Sequence, residues 1–273
     1  MAADSGEECW RSQLAGEAAS DPRVVDGRVF VGAGEGGIYC LDARTGVTLW
    51  NFVDLSIYTN PVMADGAVYT GGSRDQAHEA LCLDAKTGKP RWRVRVPLPL
   101  TASPAESGGQ VYFGLGRAGG SGRGSSGILL CLESETGRER WACQVSDAVV
   151  GQPATAEGAV WLATCNGYCC CVDRRDGRVR WERYLEDGVA TAPTLGSNSL
   201  YVLTNSGRLW RLHAQTGDVQ MTFNIAAHAE AKPQTLSSPV VAGDSIYIGA
   251  GLEDPFTGFA PTVYCVRVGP DRQ

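Results

Sequence analysis

Short runs of alternating apolar and polar residues recur along the chain, each opening just after a turn-forming residue. "GRVFVG", "GAVYTG", "GQVYFG", "GAVWLA", "NSLYVL" and "DSIYIG" are six copies of one such run. A period of two marks a strand that presents one face to each side of a sheet. A proline after a small or polar pair precedes each run, at Pro22, Pro61, Pro104, Pro153, Pro193 and Pro239. A second motif follows five of them, clearest as "YCLDARTGVTLW" and "LCLDAKTGKPRW" and fading through "LLCLESETGRERW" and "CCCVDRRDGRVRW" to "LWRLHAQTGDVQM". In it, Gly46, Gly88, Gly137, Gly177 and Gly217 each stand four residues before Trp50, Trp92, Trp141, Trp181 and Met221.

Each repeat therefore predicts four strands, A to D. A starts at the proline, B is the first run, and C and D flank the turn of the second motif. Asp42, Asp84 and Asp173 can accept from that turn's amides, and the glycine supplies the positive φ that reverses the chain. Four antiparallel strands in forty-odd residues form a blade of a β-propeller. The sixth copy, "TVYCVRVGPDRQ", stops after strand C, while Trp10 precedes Pro22 by the same twelve residues that separate Trp92, Trp141 and Trp181 from their prolines. The expectation is an all-β, six-bladed propeller of four-stranded antiparallel blades. It forms a single domain over residues 1–273, with residues 1–18 supplying the outer strand that closes the last blade.

Composition narrows the function. A net charge of −6 counts against nucleic acid, whose phosphates call for a basic surface. No apolar run approaches a membrane span. The opening "MAADSGEECWRSQLAGEAAS" lacks the basic start and apolar core of a signal peptide. The chain reads as cytoplasmic as written, or as periplasmic or cell-envelope if it is a mature or excised chain.

"YCLDARTGVTLW", with "SSPVV" and "IYIG" before strand C, resembles the pyrroloquinoline-quinone-like propeller repeat across the whole chain. The resemblance implies the fold and leaves three roles open. Quinoprotein dehydrogenases of this superfamily bind the quinone and calcium, BamB-like envelope proteins are assembly scaffolds, and some adenylate-forming enzymes carry such a propeller as an accessory domain. Dehydrogenases of that kind often carry an adjacent Cys-Cys disulfide stacked on the quinone. Here "CNGYCCCVD" is better explained by packing, because "NG" is a two-residue hairpin turn. Cys171 also shares its repeat position with Cys40, Cys82, Cys131 and Cys265. Copies in separate blades are too far apart to pair, so the thiols are expected to be free. Zinc at Cys165 and Cys170 lacks CxxC spacing or a nearby histidine.

No catalytic constellation emerges. His213 takes the aspartate's place in the fifth turn, and His78 and His228 read as solvated loop residues. "GGSGRGSSG" lacks the Lys-Ser/Thr ending of a phosphate loop. The arginines of "RWRVRV", with Arg138, Arg140, Arg178 and Arg180, fall on or beside the outermost strand, where charge deters edge-to-edge pairing.

Length departs from the repeat in the B–C hairpins "GGSRDQAHEA", "GRAGGSGRGSSG" and "GLEDPFTGFAPT" and in the D–A connection "NIAAHAEAKPQT". All emerge on one side of a four-stranded blade. That side carries Arg74, Asp75, His78, Arg117, Arg123, His228, Glu253, Asp254, Phe256 and Phe259, a mixture of charges and aromatics suited to protein recognition. The reading is a non-catalytic, monomeric scaffold that binds a protein through this face, or a small ligand in the central funnel, with no cofactor. Its alternatives are a quinone-dependent dehydrogenase holding the quinone and calcium, or a degenerate relative of one, and the accessory domain of a larger enzyme.

Overall fold

The computed structural model describes residues 7–18, 20–117, 126–156, 158–225, 233–252 and 260–267, with backbone alone at 233–235, 252, 260 and 261. The described residues contain strands, turns and irregular segments and no helix. Twenty-four strands form six four-stranded antiparallel sheets, the blades of a β-propeller.

Sheet 1 consists of β1 (Arg23–Val25), β2 (Arg28–Gly32), β3 (Ile38–Asp42) and β4 (Thr48–Phe52). Sheet 2 follows with β5 (Val62–Ala64), β6 (Ala67–Arg74), β7 (Ala77–Asp84) and β8 (Pro90–Val96). Sheet 3 has β9 (Ala105–Ser107), β10 (Gln110–Arg117), β11 (Ser126–Glu133) and β12 (Glu139–Val145). Sheet 4 has β13 (Val149–Ala156), β14 (Ala159–Thr164), β15 (Tyr168–Asp173) and β16 (Val179–Tyr184). Sheet 5 has β17 (Thr194–Gly196), β18 (Ser199–Leu203), β19 (Arg208–His213) and β20 (Val219–Asn224). Sheet 6 has β21 (Pro233–Leu236), β22 (Val240–Ala242), β23 (Ser245–Leu252) and β24 (Ala260–Arg267).

In sheets 1 to 5 the spatial order is the chain order, as a simple meander requires. Sheet 6 reaches four strands differently: β21 and β22 are two pieces of strand A, both paired to β23, and β24 is strand C. Residues 7–18 carry no strand, so the fourth strand expected from "ECWRSQL" is not formed there. Strand A is interrupted elsewhere too. Ser56, Leu100 and Val189 bridge to the far ends of β6, β10 and beyond β18, while β13 runs through with a register shift between Val150 and Ala154. The proline three to five residues further on lacks an amide to continue the ladder.

The chain divides into two compact units, residues 1–115 with 130–140, and residues 116–129 with 141–273. In the first, Phe30 and Cys40 of sheet 1 are buried against Val68, Leu81 and Leu83 of sheet 2. In the second, Trp161, Cys169 and Cys171 of sheet 4 pack on Leu200, Val202 and Leu212, and Tyr201 and Leu203 of sheet 5 pack on Ile246 and Ile248. Period-two alternation thus gives each blade two apolar faces, and each fully buried large side chain contributes about 1.5–3 kcal/mol.

Candidate functional site

The strands leave two sets of connections at opposite ends of each sheet, and the two are built differently. At the end with the A–B and C–D turns, Asp42 Oδ1 accepts from the amides of Arg44 (3.1 Å) and Thr45 (2.8 Å) and from the Thr45 hydroxyl (2.8 Å), and Gly46 reverses the chain at φ 71°. Asp84 repeats this with Lys86 and Thr87. His213 does fill the aspartate's role, since the Thr216 amide donates to its Nδ1 at 3.3 Å. Arg91 adds a clamp, donating to Asp84 Oδ2 and to the Gly66 carbonyl, both at 2.8 Å. That guanidinium, helped by Thr87, pulls the Asp84 carboxyl down to about 2. Arg138, with Thr136 and Arg140, does the same for Glu133, also to about 2. Arg180 holds Asp173 and the Gly158 carbonyl likewise. The outer-strand arginines at these positions are therefore tied to turns.

At the other end, the B–C hairpin of sheet 2 differs from its expected form. It is no wide loop: β6 and β7 stay paired from Ala67↔Asp84 to Arg74↔Ala77, closed by Asp75 and Gln76, both at positive φ. His78 accordingly lies on β7, half-buried, with Nδ1 2.7 Å from the Ser73 hydroxyl, where a solvated loop residue was expected. Arg74 reaches toward the Asp54 carbonyl and Asp75, and Arg93 bridges Glu79 (2.7 Å) and Asp54 (2.9 Å) above the Phe52 ring. The hairpin tip and the D–A connection before sheet 2 thereby form one charged, cross-braced ridge.

Three of the expected face residues, Arg74, Asp75 and His78, come together on this ridge, and Arg117 ends β10 exposed to solvent. Arg123, His228, Glu253, Asp254, Phe256 and Phe259 lie outside the described residues. Sequence reasoning missed Tyr58, which is 58% exposed in the D–A connection. It borders a cleft of about 270 Å³ shared with Gly16, Glu17, Gly34 and Glu35 at the same end of sheet 1. The signal was an aromatic in "SIYTNP", between Ile57 and Thr59, which are both buried.

None of the ten cysteines forms a disulfide. Cys169, Cys170 and Cys171 have no exposure, and their neighbouring side chains project to opposite faces of β15, an arrangement that does not fit a disulfide stacked on a quinone. Burial pushes the Cys40, Cys82 and Cys171 thiols up to about 11. Among the described residues no three His, Cys, Asp or Glu side chains gather as a metal site, and no helix is long and apolar enough to cross a membrane.

A family model described as "Outer membrane protein assembly factor BamB" matches residues 1–64, 55–124 and 122–254. The chain belongs to that family. It is 31% identical over 128 residues to the serine/threonine-protein kinase AfsK of Streptomyces griseus, covering 42% of this chain and 16% of the kinase. It is 26% identical over 105 residues to the outer membrane protein assembly factor BamB of Burkholderia pseudomallei, covering 37% and 28%. The crystal structure of BamB from Moraxella catarrhalis superposes with a TM-score of 0.70 at 18% identity, over 91% of this chain and 70% of that one, a likeness of fold. The chain spans under a third of these curated relatives.

Proposed function

We propose that the chain is a protein-binding propeller scaffold that engages its partner through the B–C and D–A end of its sheets. The observation that carries this reading is where length varies. The strands of the B–C hairpins run to eight residues in β6, β7, β10, β11, β23 and β24 against five in β2 and β3. The C–D turns, by contrast, keep one five-residue design from Asp42–Gly46 to His213–Gly217. Elaboration at one end of a rigid frame is how loops acquire specificity. The ridge of Arg74, Asp75 and Arg93 offers charge, and Tyr58 offers an exposed aromatic, the mixture common at protein interfaces. Kinship with a family described as an assembly factor supports a protein partner.

A photo-crosslinking residue placed at Asp75, and separately at Lys86 in a C–D turn, tests this in cells. Discrete partner adducts from position 75, absent from position 86, are expected. Adducts from position 86 alone would put the site at the wrong end.

A further inference from the structure

Twice, at the B–C and D–A end of a sheet, the chain seats an arginine between carboxylate and aromatic ring. Arg93 donates to Glu79 (2.7 Å) and Asp54 (2.9 Å), with its guanidinium 5.7 Å from the centre of the Phe52 ring. Arg208 donates to Glu186 at 2.8 Å and stands 5.8 Å from the centre of the Trp210 ring. Sheet 1 has the acids and the ring without the cation. In its B–C hairpin the Ala33 amide donates to the Gly37 carbonyl and the Gly36 amide to the Ala33 carbonyl. Thr204 donates to Arg208 and Gly207 to Thr204 in the same way in sheet 5. Gly37 therefore stands where sheet 5 has Arg208.

Beside that hairpin lies the cleft of about 270 Å³ lined by Gly16, Glu17, Gly34, Glu35 and Tyr58, a lining with two carboxylates and no cation. Its walls are close: a Cβ on Gly34 would lie 3.1 Å from Tyr58 Cε1 and 3.7 Å from the Glu17 carbonyl oxygen. The Gly34 amide donates to the Ile57 carbonyl at 3.0 Å and the Ile57 amide to the Gly34 carbonyl at 2.8 Å, which fixes the adjoining Tyr58 against the hairpin. The tyrosine is nonetheless 58% exposed, and among the described residues neither the Glu17 nor the Glu35 carboxylate makes a hydrogen bond or ion pair. On the ridge that shares this D–A connection, Asp54, Asp75 and Glu79 outnumber Arg74 and Arg93, so the field there is negative as well.

We propose that this cleft takes an arginine side chain of the partner protein, its guanidinium stacked on Tyr58 and donating to Glu17 and Glu35. The site is the one that Arg93 and Arg208 complete within the chain, left open at sheet 1. A guanidinium is planar and weakly hydrated, so one face lies on an aromatic ring while its edge donates to carboxylates. The compact ammonium of lysine is more strongly hydrated and gives up more on entering the same place. The volume has room for roughly nine non-hydrogen atoms, given about 30 Å³ for each water displaced, which is enough for an arginine side chain. The assignment rests on the reading of this end as the partner-binding end and names what the partner presents there.

The probe is Nα-acetyl-arginine amide, read at low salt by the backbone amide resonances of Gly34 and Gly36 in isotope-labelled protein. A saturable shift with Kd on the order of 10 mM is expected. Nα-acetyl-lysine amide, of equal charge, should bind at least about threefold more weakly. Glu17→Gln combined with Glu35→Gln should weaken the arginine probe at least about threefold, and Tyr58→Leu at least about twofold. The proposal fails if the arginine probe gives no saturable shift up to about 100 mM, if either variant binds it as well as the parent, or if the lysine probe binds equally. Melting curves show whether each variant is folded, and where one is not, the two probes compared on the parent protein decide. The probe requires no partner, so the two readings fail separately. Crosslinks at position 75 without probe binding would overturn the arginine site alone. Probe binding without crosslinks would leave the guanidinium preference standing and overturn the binding-end reading.

Discussion

The indole of Trp50, on the last strand of sheet 1, lies over Gly88 in the C–D turn of sheet 2. Its Nε1 donates to the Ala85 carbonyl at 3.1 Å, and a Cβ at Gly88 would sit 2.5 Å from its Cε3. Trp92 repeats this on Gly137 and Ser134, Trp141 on Gly177 and Arg174, and Trp181 on Gly217 and Ala214. One glycine per repeat thus reverses its own turn and receives the preceding blade's tryptophan.

Gly88→Ala should accordingly cost about 2–4 kcal/mol, combining a left-handed φ of +69° with a collision against an aromatic ring. Urea unfolding followed by tryptophan fluorescence would report a lower midpoint at an unchanged slope. Gly27, also left-handed but with nothing within 4 Å of its Cβ position, is the control and should lose less when changed to Ala.

Trp10 belongs to the same series although it lies in no strand. It covers Gly46 and donates to the Ala43 carbonyl at 3.0 Å, and with Leu14 it packs on the face of sheet 1 formed by Val29, Val31, Tyr39 and Leu41. Trp10→Ala should cost about 2 kcal/mol, below the roughly 3–5 of a fully buried tryptophan because Trp10 is half-buried. An unchanged melting temperature would show that the segment is an ornament rather than a part of the blade stack.

Acid should destabilise the protein in a defined window. The Asp84 and Glu133 carboxyls are depressed to about 2 by their arginines and hydroxyls, so the folded state binds fewer protons than the unfolded chain below about pH 4. Their contribution is complete above that pH and disappears as pH falls toward about 2. Replacing Arg91 by Leu, the residue sheet 1 has as Leu49, should flatten the loss of stability measured by urea titration between about pH 4 and 2.

Thiol labelling should separate two cysteines from the rest. Cys9 and Cys265 are exposed, and the others are buried or half-buried. An aromatic disulfide reagent should therefore modify Cys9 and Cys265 promptly and the remaining thiols only on unfolding, with Cys165 intermediate. Prompt reaction at Cys40 or Cys82, whose thiols burial raises to about 11, would contradict the packing described for sheets 1 and 2.

How much of this was legible beforehand depended on the range of the interaction. Alternation in "RVFVG" and "AVYTG", the acceptor at Asp42, the reversal at Gly46 and the stand-in at His213 all act within a few residues, and the sequence displays them directly. The repeat count likewise predicted six sheets. A residue's neighbours in the next blade were not legible, because they lie some forty positions away and depend on how sheets stack. Nothing in "GGSRDQAHEA" says that ladder pairing continues to its tip and draws His78 against Ser73, rather than opening into a loop. The outer-strand arginines looked like edge guards until the turn acids were seen within reach. By itself the sequence determined strand order, turn chemistry and blade number, which rest on local periodicity and steric rules. Only the tertiary structure decided which glycine receives which tryptophan, because that follows from the face-to-face packing of separate sheets.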